Sequence, residues 1–162
     1  MNLTLRIPQS VLAIARRDLS RPHPFACERI GFFRCRPTAL PDLVVITGYD
    51  SVADDQYVED SNAGACIGSV AIQTAMQRIL THKVGQIHVH QHEHRGVPGP
   101  SSTDSANQPR LVASFRNLDP KLPHGSLILS NTHAWGEFAV PGCRRFEELK
   151  SISVVSGRLE FL

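Results

Sequence analysis

The sequence predicts an α/β fold in a single domain, because helical and strand-like segments alternate along a chain whose length suits one hydrophobic core. The chain has 162 residues, of which 41% are hydrophobic and 20% are charged, and we expect one domain over 1–162. The clearest periodicity predicts a buried helix over about 64–80, where apolar residues recur at helical spacing. These residues are Ile72, Ala75, Met76, Ile79 and Leu80.

Local patterns predict the other elements of the first half of the chain. Ser10 can cap a short helix, which the Arg21-Pro22 pair would end. Strand-like runs follow at 29–35 and 43–47. The stretch 50–62 holds five acidic residues and few apolar ones, so we expect a solvated loop.

The second half of the chain is predicted to contain one further helix among several strands. A strand at 84–90 is followed by a Gly/Pro loop at 96–100, and then by a helix that Ser101 caps and that continues to Leu118. The remaining strand candidates are 126–130, 136–140, 152–155 and 158–161, the last two joined by a Ser156-Gly157 hairpin turn.

Composition argues against several classes of function. The net charge is +2 and no cationic tract is present, so nucleic acid is not an expected partner. The first residues lack the apolar core of a signal peptide, and no apolar run approaches the roughly 20 residues that span a bilayer. The four cysteines form no C-x-x-C pair. We therefore expect reduced thiols in a cytoplasmic protein that does not bind membranes.

Four of the eight histidines lie within seven residues, which points to a metal site. On a strand, His88 and His90 project from the same face about 7 Å apart, so both imidazoles can reach one ion. Zinc in hydrolases usually takes three protein ligands and keeps one position open. Asp104, beyond the Gly/Pro loop, can supply the third ligand, although it could also be a favourable first-turn acid in a plain helix cap.

These residues resemble the motif of the JAMM metalloproteases, in which H-x-H is followed by a loop and S-x-x-D. Here the motif would comprise His88-Val-His90 and Ser101-Ser-Thr-Asp104, with an earlier glutamate in Glu28-Arg-Ile-Gly31. The resemblance implies the MPN fold, a curved mixed β-sheet flanked by helices. It also implies Zn²⁺ as cofactor, Glu28 as general acid and base, and Ser101 as a donor to the tetrahedral intermediate.

Two departures from the family leave the ligand register open. Gln91 stands where the family usually has proline, and the loop to Ser101 is about three residues longer than usual. A pair formed by His90 and His92 would give a loop closer to the family's length, but we assign the ligands to His88, His90 and Asp104. His92 and His94 would then line the rim and contact substrate, or have no role.

The resemblance further implies an isopeptidase or peptidase that cuts after the C-terminal glycine of a ubiquitin-like protein, in deconjugation or in precursor processing. The stand-alone JAMM proteins of bacteria suggest E1/E2-like operon partners and a role in antiphage defence. Two alternatives remain. One is a cupin-like non-haem metal protein that uses His88, His90 and Glu93, and the other is a non-catalytic MPN scaffold.

Overall fold

The computed structural model describes residues 1–156, in which seven strands, three α-helices and one short 3-10 helix follow one another. The elements are β1 (Leu3–Pro8), α1 (Gln9–Leu19), β2 (Ile30–Pro37), β3 (Leu43–Ser51), the 3-10 helix (Asp54–Gln56), α2 (Ser69–His82), β4 (Gly85–Gln91), α3 (Ser102–Leu118), β5 (His124–Leu129), β6 (Ala134–Ala139) and β7 (Glu147–Val155). The expected turn at 156–157 and strand at 158–161 extend outside the described residues.

The strands form a closed barrel in the order β1-β3-β2-β4-β5-β6-β7, with β7 returning to β1. The expectation of a curved MPN-type sheet flanked by helices is therefore wrong. The difference arises at β1, whose inward residues Leu3, Leu5 and Ile7 are buried and which pairs with both β3 and β7. Because this strand was not predicted, the pairing that closes the sheet was not foreseen.

The barrel contains both parallel and antiparallel pairs. The β1–β3, β1–β7 and β4–β5 pairs are parallel, while the other neighbours are antiparallel. This arrangement differs from the antiparallel jelly roll of cupins. Strand β4, which carries the histidines, lies between β2 and β5, so both of its edges are paired.

The predicted helices form, with corrections at their starts. Ser10 is not the cap of α1, because the helix begins at Gln9 after Pro8, and Pro8 offers no side-chain cap. Helix α2 begins at Ser69, about five residues later than predicted, because Gly68 has an extended backbone conformation and Ile67 forms an isolated bridge with Tyr57. Helix α3 has the predicted Ser101 cap.

Buried apolar residues form two clusters, one on each face of the central strands. The first cluster joins the strands to α1 and includes Ile87 and Val89 of β4. The second joins Ile30 and Phe32 of β2 to α2 and α3. Since side chains alternate along a strand, the β4 histidines share the face of the second cluster. The predicted loop at 50–62 is mostly exposed, but Val52 and Tyr57 are buried in this cluster.

Candidate metal centre

Strand pairing brings the early glutamate beside the histidine strand. In the antiparallel β2–β4 pair, Ile30 lies opposite His90. Glu28 precedes Ile30 by two residues and His92 follows His90 by two, so the register brings Glu28 and His92 together. The Glu28 carboxylate is 3.6 Å from His92 Nε2.

Glu28, His90 and His92 form a group that could hold a metal ion, because one donor atom of each lies within 4.8 Å of the others. The Nε2 atoms of His90 and His92 are 3.1 Å apart. Ligands about 2.0–2.1 Å from a tetrahedral ion lie roughly 3.4 Å from one another. The spacing of the two imidazoles therefore fits a shared ion.

The Asp104 carboxylate faces the same two imidazoles from the start of α3. Its Oδ2 atom is 3.6 Å from His90 Nε2 and 4.0 Å from His92 Nε2. Gln108 Nε2 donates to the other oxygen, Oδ1, at 2.7 Å. The structure therefore brings together two imidazoles and two carboxylates, and either Glu28 or Asp104 could complete a two-histidine ligand set.

Ser101 orients Asp104 as part of a reciprocal capping box. The Ser101 backbone N–H and hydroxyl donate to Asp104 Oδ2 at 2.8 and 2.7 Å, and the Asp104 N–H donates to Ser101 Oγ at 3.1 Å. Both residues therefore stabilise the first turn of α3. The Ser101 hydroxyl lies beside Asp104 and directs its proton to that carboxylate, and its role toward a reaction intermediate stays a prediction.

His88 lies two residues before His90 on the same face of β4 and is not a member of the donor group. Its ring centroid is 5.6 Å from that of His90 and 6.0 Å from that of Phe32, and the Phe32 and His88 rings are T-shaped to one another. Within residues 1–156, Nδ1 of His88 has no hydrogen-bond partner. The assignment of His88 as a ligand stays a prediction. The structure does not bring the His88 side chain into the donor group.

The remaining acidic and histidine candidates on this segment face solvent. His94 is exposed, and its Nδ1 lies 2.9 Å from its neighbour's carbonyl, that of Arg95. Glu93, the carboxylate of the cupin-like alternative, is also exposed and does not belong to the donor group. Of the two predicted rim residues, His92 thus joins the centre and His94 remains outside it.

The local environment of His92 and of Asp104 favours a neutral imidazole and an ionised carboxylate. Burial lowers the pKa of His92, although Glu28 opposes the shift, and burial lowers the pKa of His88 to about 3. Burial would raise the pKa of Asp104, but contact with His90 and hydrogen bonds from Ser101 outweigh it and hold the pKa below its usual value. Neutral imidazoles and an ionised carboxylate are the forms that bind metal.

Glu28 lies in an irregular segment that several anchors hold in place. The buried Arg29 guanidinium donates to the carbonyls of Arg21 and Pro22 and to Asp54, which lies in the 3-10 helix. The backbone N–H of Glu28 donates to the carbonyl of Gly64 at 3.2 Å. The residues after β3 were predicted only as a solvated loop. They and the residues that follow supply Asp54 and Gly64, which hold the segment of Glu28 in place.

A groove of about 790 Å³ opens beside the donor group. It runs between α2, α3 and the irregular segment before α2, and its apolar lining includes Ile67, Ile72, Met76 and Leu111. The acids Glu28, Asp60 and Asp104 also line it. The arrangement therefore places a candidate metal-ligand set in the wall of an open groove.

Three supporting residues were missed in the sequence. Gln108 stands four residues after Asp104 on the same helix, and side chains at this spacing are neighbours. The spacing could therefore have identified Gln108 as a partner of Asp104. Arg29 and Gly64 support the segment of Glu28 through tertiary contacts, which no local sequence pattern predicts.

The sequence matches no protein-family model and no curated protein. Among residues 1–156, every helix is too short or too polar to cross a membrane.

Proposed function

We propose that this protein is a zinc-dependent peptidase of the JAMM kind, with His90, His92 and Asp104 as ligands and Glu28 as the general acid and base. The observation that carries the proposal is the convergence of these four side chains in the wall of one groove. The two histidine ligands, His90 and His92, correspond to the alternative register of the H-x-H motif. It leaves eight residues between His92 and Ser101.

The chemistry divides between the ion and the chain. Zinc, when bound, polarises the scissile carbonyl and makes water more acidic. Glu28 accepts a proton from the attacking water and transfers it to the leaving amine, a task that typically contributes roughly 10²–10⁴-fold. Its half-buried carboxylate beside His92 supports this role. Ser101 donates its hydroxyl to the developing oxyanion after releasing Asp104, which costs part of the helix cap.

The substrate we propose is the Gly-ended C-terminal tail of a ubiquitin-like protein or of its conjugates. Groove-lining residues of α3 extend from Ser102 to Ser114, about 18 Å at 1.5 Å per residue, which accommodates about five extended residues. Asp60 can meet an arginine of such a tail. Because both edges of β4 are paired, the tail would contact the groove walls rather than the histidine strand.

A cytoplasmic setting fits this substrate, with E1- and E2-like enzymes of a bacterial conjugation or antiphage system as partners. All four cysteines are free thiols, which supports a reducing compartment. The same donor set also suits non-haem iron, since two histidines and one carboxylate are the ligands of many iron oxygenases. Metal content therefore has to be measured together with activity.

The test compares the wild-type protein with Glu28→Gln and with Glu93→Gln, a matched change at an exposed neighbouring glutamate. Each protein is incubated with ubiquitin-like proteins fused to a reporter, and the cut is mapped by mass spectrometry. We expect cleavage after the terminal glycine, lost in Glu28→Gln and kept in Glu93→Gln. Iron at full occupancy without zinc-supported cleavage would contradict the proposal, as would cleavage within unrelated unfolded peptides without preference for a Gly-ended tail.

A further inference from the structure

We propose that Gly64 is a positioning residue that sets where the Glu28 carboxylate lies. The inference rests on the proposed role of Glu28 and adds a residue that the motif does not contain. Gly64 lies on the groove wall, at a bend in the segment that precedes α2.

The first support is a shared backbone acceptor. The carbonyl of Gly64 accepts hydrogen bonds from the N–H groups of Cys27, at 2.8 Å, and Glu28, at 3.2 Å. Glu28 lies between α1 and β2, in neither a helix nor a strand. The Gly64 carbonyl therefore satisfies the backbone N–H of Glu28, as a neighbouring strand would do within a sheet.

The second support is the space that the missing side chain leaves. A Cβ atom at position 64 would lie 3.1 Å from Cδ and Oε2 of Glu28 and 3.5 Å from Oε1. Two of these contacts are too tight for the carboxylate to keep its place, so it would have to move by a few tenths of an ångström. The backbone at Gly64 is not in the left-handed region, so alanine there would meet this contact without added backbone strain.

The third support is the anchoring of the segment itself. Residues 56–58 and 66–68 pair around the Tyr57–Ile67 bridge, with hydrogen bonds from Val58 N to Cys66 O and from Gly68 N to Gln56 O. The Tyr57 hydroxyl in turn accepts from Ile30 N at the start of β2. Gly64 is thus held against Glu28 by contacts that also fix the strand beside the glutamate.

Gly68→Ala provides a matched control. A Cβ there would lie 3.3 Å from Gln56 O and 3.5 Å from Val58 Cγ2. These contacts are about as close as those at position 64 and lie in the same segment, but none of them involves Glu28. Proton transfer needs heavy atoms within about 2.6–3.2 Å, and a misplacement of about 1 Å can cost 10²-fold. For Gly64→Ala we expect about a 10-fold lower kcat, with KM and zinc content within twofold of wild type. For Gly68→Ala we expect kcat within twofold.

A measurement on the zinc-free protein tests the position directly. The ¹³C resonance of Glu28 Cδ, assigned by its disappearance in Glu28→Gln, should shift in Gly64→Ala and stay in place in Gly68→Ala. In the wild type, the Cys27 and Glu28 amide protons should be protected from exchange. The inference would be overturned if the two alanine variants had equal kcat values and equal chemical shifts for Glu28 Cδ. Rapid exchange of both the Cys27 and Glu28 amide protons would also overturn it.

The outcomes separate this inference from the proposed function. A wild-type protein that lacks peptidase activity would contradict the proposed function, while the Cδ resonance and amide exchange would still decide whether Gly64 positions Glu28. Loss of zinc from Gly64→Ala alone would show that Gly64 supports the metal ligands instead, and would also overturn the inference.

Discussion

Buried His124 should make the protein lose stability as the pH falls from about 6.5 toward about 4. The side chain is fully buried, Nδ1 accepts from the backbone N–H of Gln86 at 3.2 Å, and Nε2 lies 3.1 Å from the carbonyl of Asp119. The neutral ring with its proton on Nε2 satisfies both contacts. Protonation would place a second proton on Nδ1, against the N–H of Gln86.

The magnitude follows from the shift in pKa. Burial lowers the pKa of His124 from 6.5 to about 4. Between these values the unfolded chain binds the extra proton, so the free energy of unfolding falls as the pH falls. The difference between these two pKa values corresponds to a loss of about 3 kcal/mol in the free energy of unfolding. This loss is complete below about pH 4 and absent above about pH 6.5.

The assay is urea unfolding of zinc-free wild type and His124→Asn at several pH values from 7 to 4. Asparagine can still accept from Gln86 but does not titrate in this range. Other acid-sensitive groups are common to both proteins, so they cancel in the comparison. We expect the wild type to lose about 3 kcal/mol more than the variant. Equal losses in the two proteins would refute the assignment of a buried neutral imidazole.

Two further predictions concern the proposed catalytic residues. Glu28→Gln should retain zinc and the fold yet lose at least about 10²-fold in activity, measured by turnover and elemental analysis, and loss of zinc would show that Glu28 is itself a ligand. Ser101→Ala should lose about 1 kcal/mol of stability in urea unfolding because it removes the capping box, with a smaller loss of activity than Glu28→Gln. An unchanged unfolding midpoint would contradict the cap.

The local elements of the site could be predicted because their signals are local. The helix cap at Ser101 and Asp104 follows from residues three apart, and the histidine strand follows from alternation. Both depend on backbone geometry over a few residues. The structure confirms that Ser101 caps α3 and that the histidines lie on and just beyond β4.

The ligand register and the closure of the barrel could not be predicted in this way, because they depend on pairings between distant segments. The choice between His88 and His92 turns on which residue of β4 lies opposite Ile30, since that register decides which histidine meets Glu28. Similarly, the alternating residues of β1 identify a strand only once β3 and β7 are present as partners. Strand register is set by such long-range contacts.

Zinc stoichiometry in single histidine variants tests the proposed metal centre most directly. Elemental analysis of purified protein should give about one zinc per chain in the wild type, in His88→Ala and in His94→Ala, because neither side chain belongs to the donor group. His90→Ala and His92→Ala should each lose the metal. Zinc that is retained in His92→Ala and lost in His88→Ala would contradict the account and place the ligands at His88 and His90.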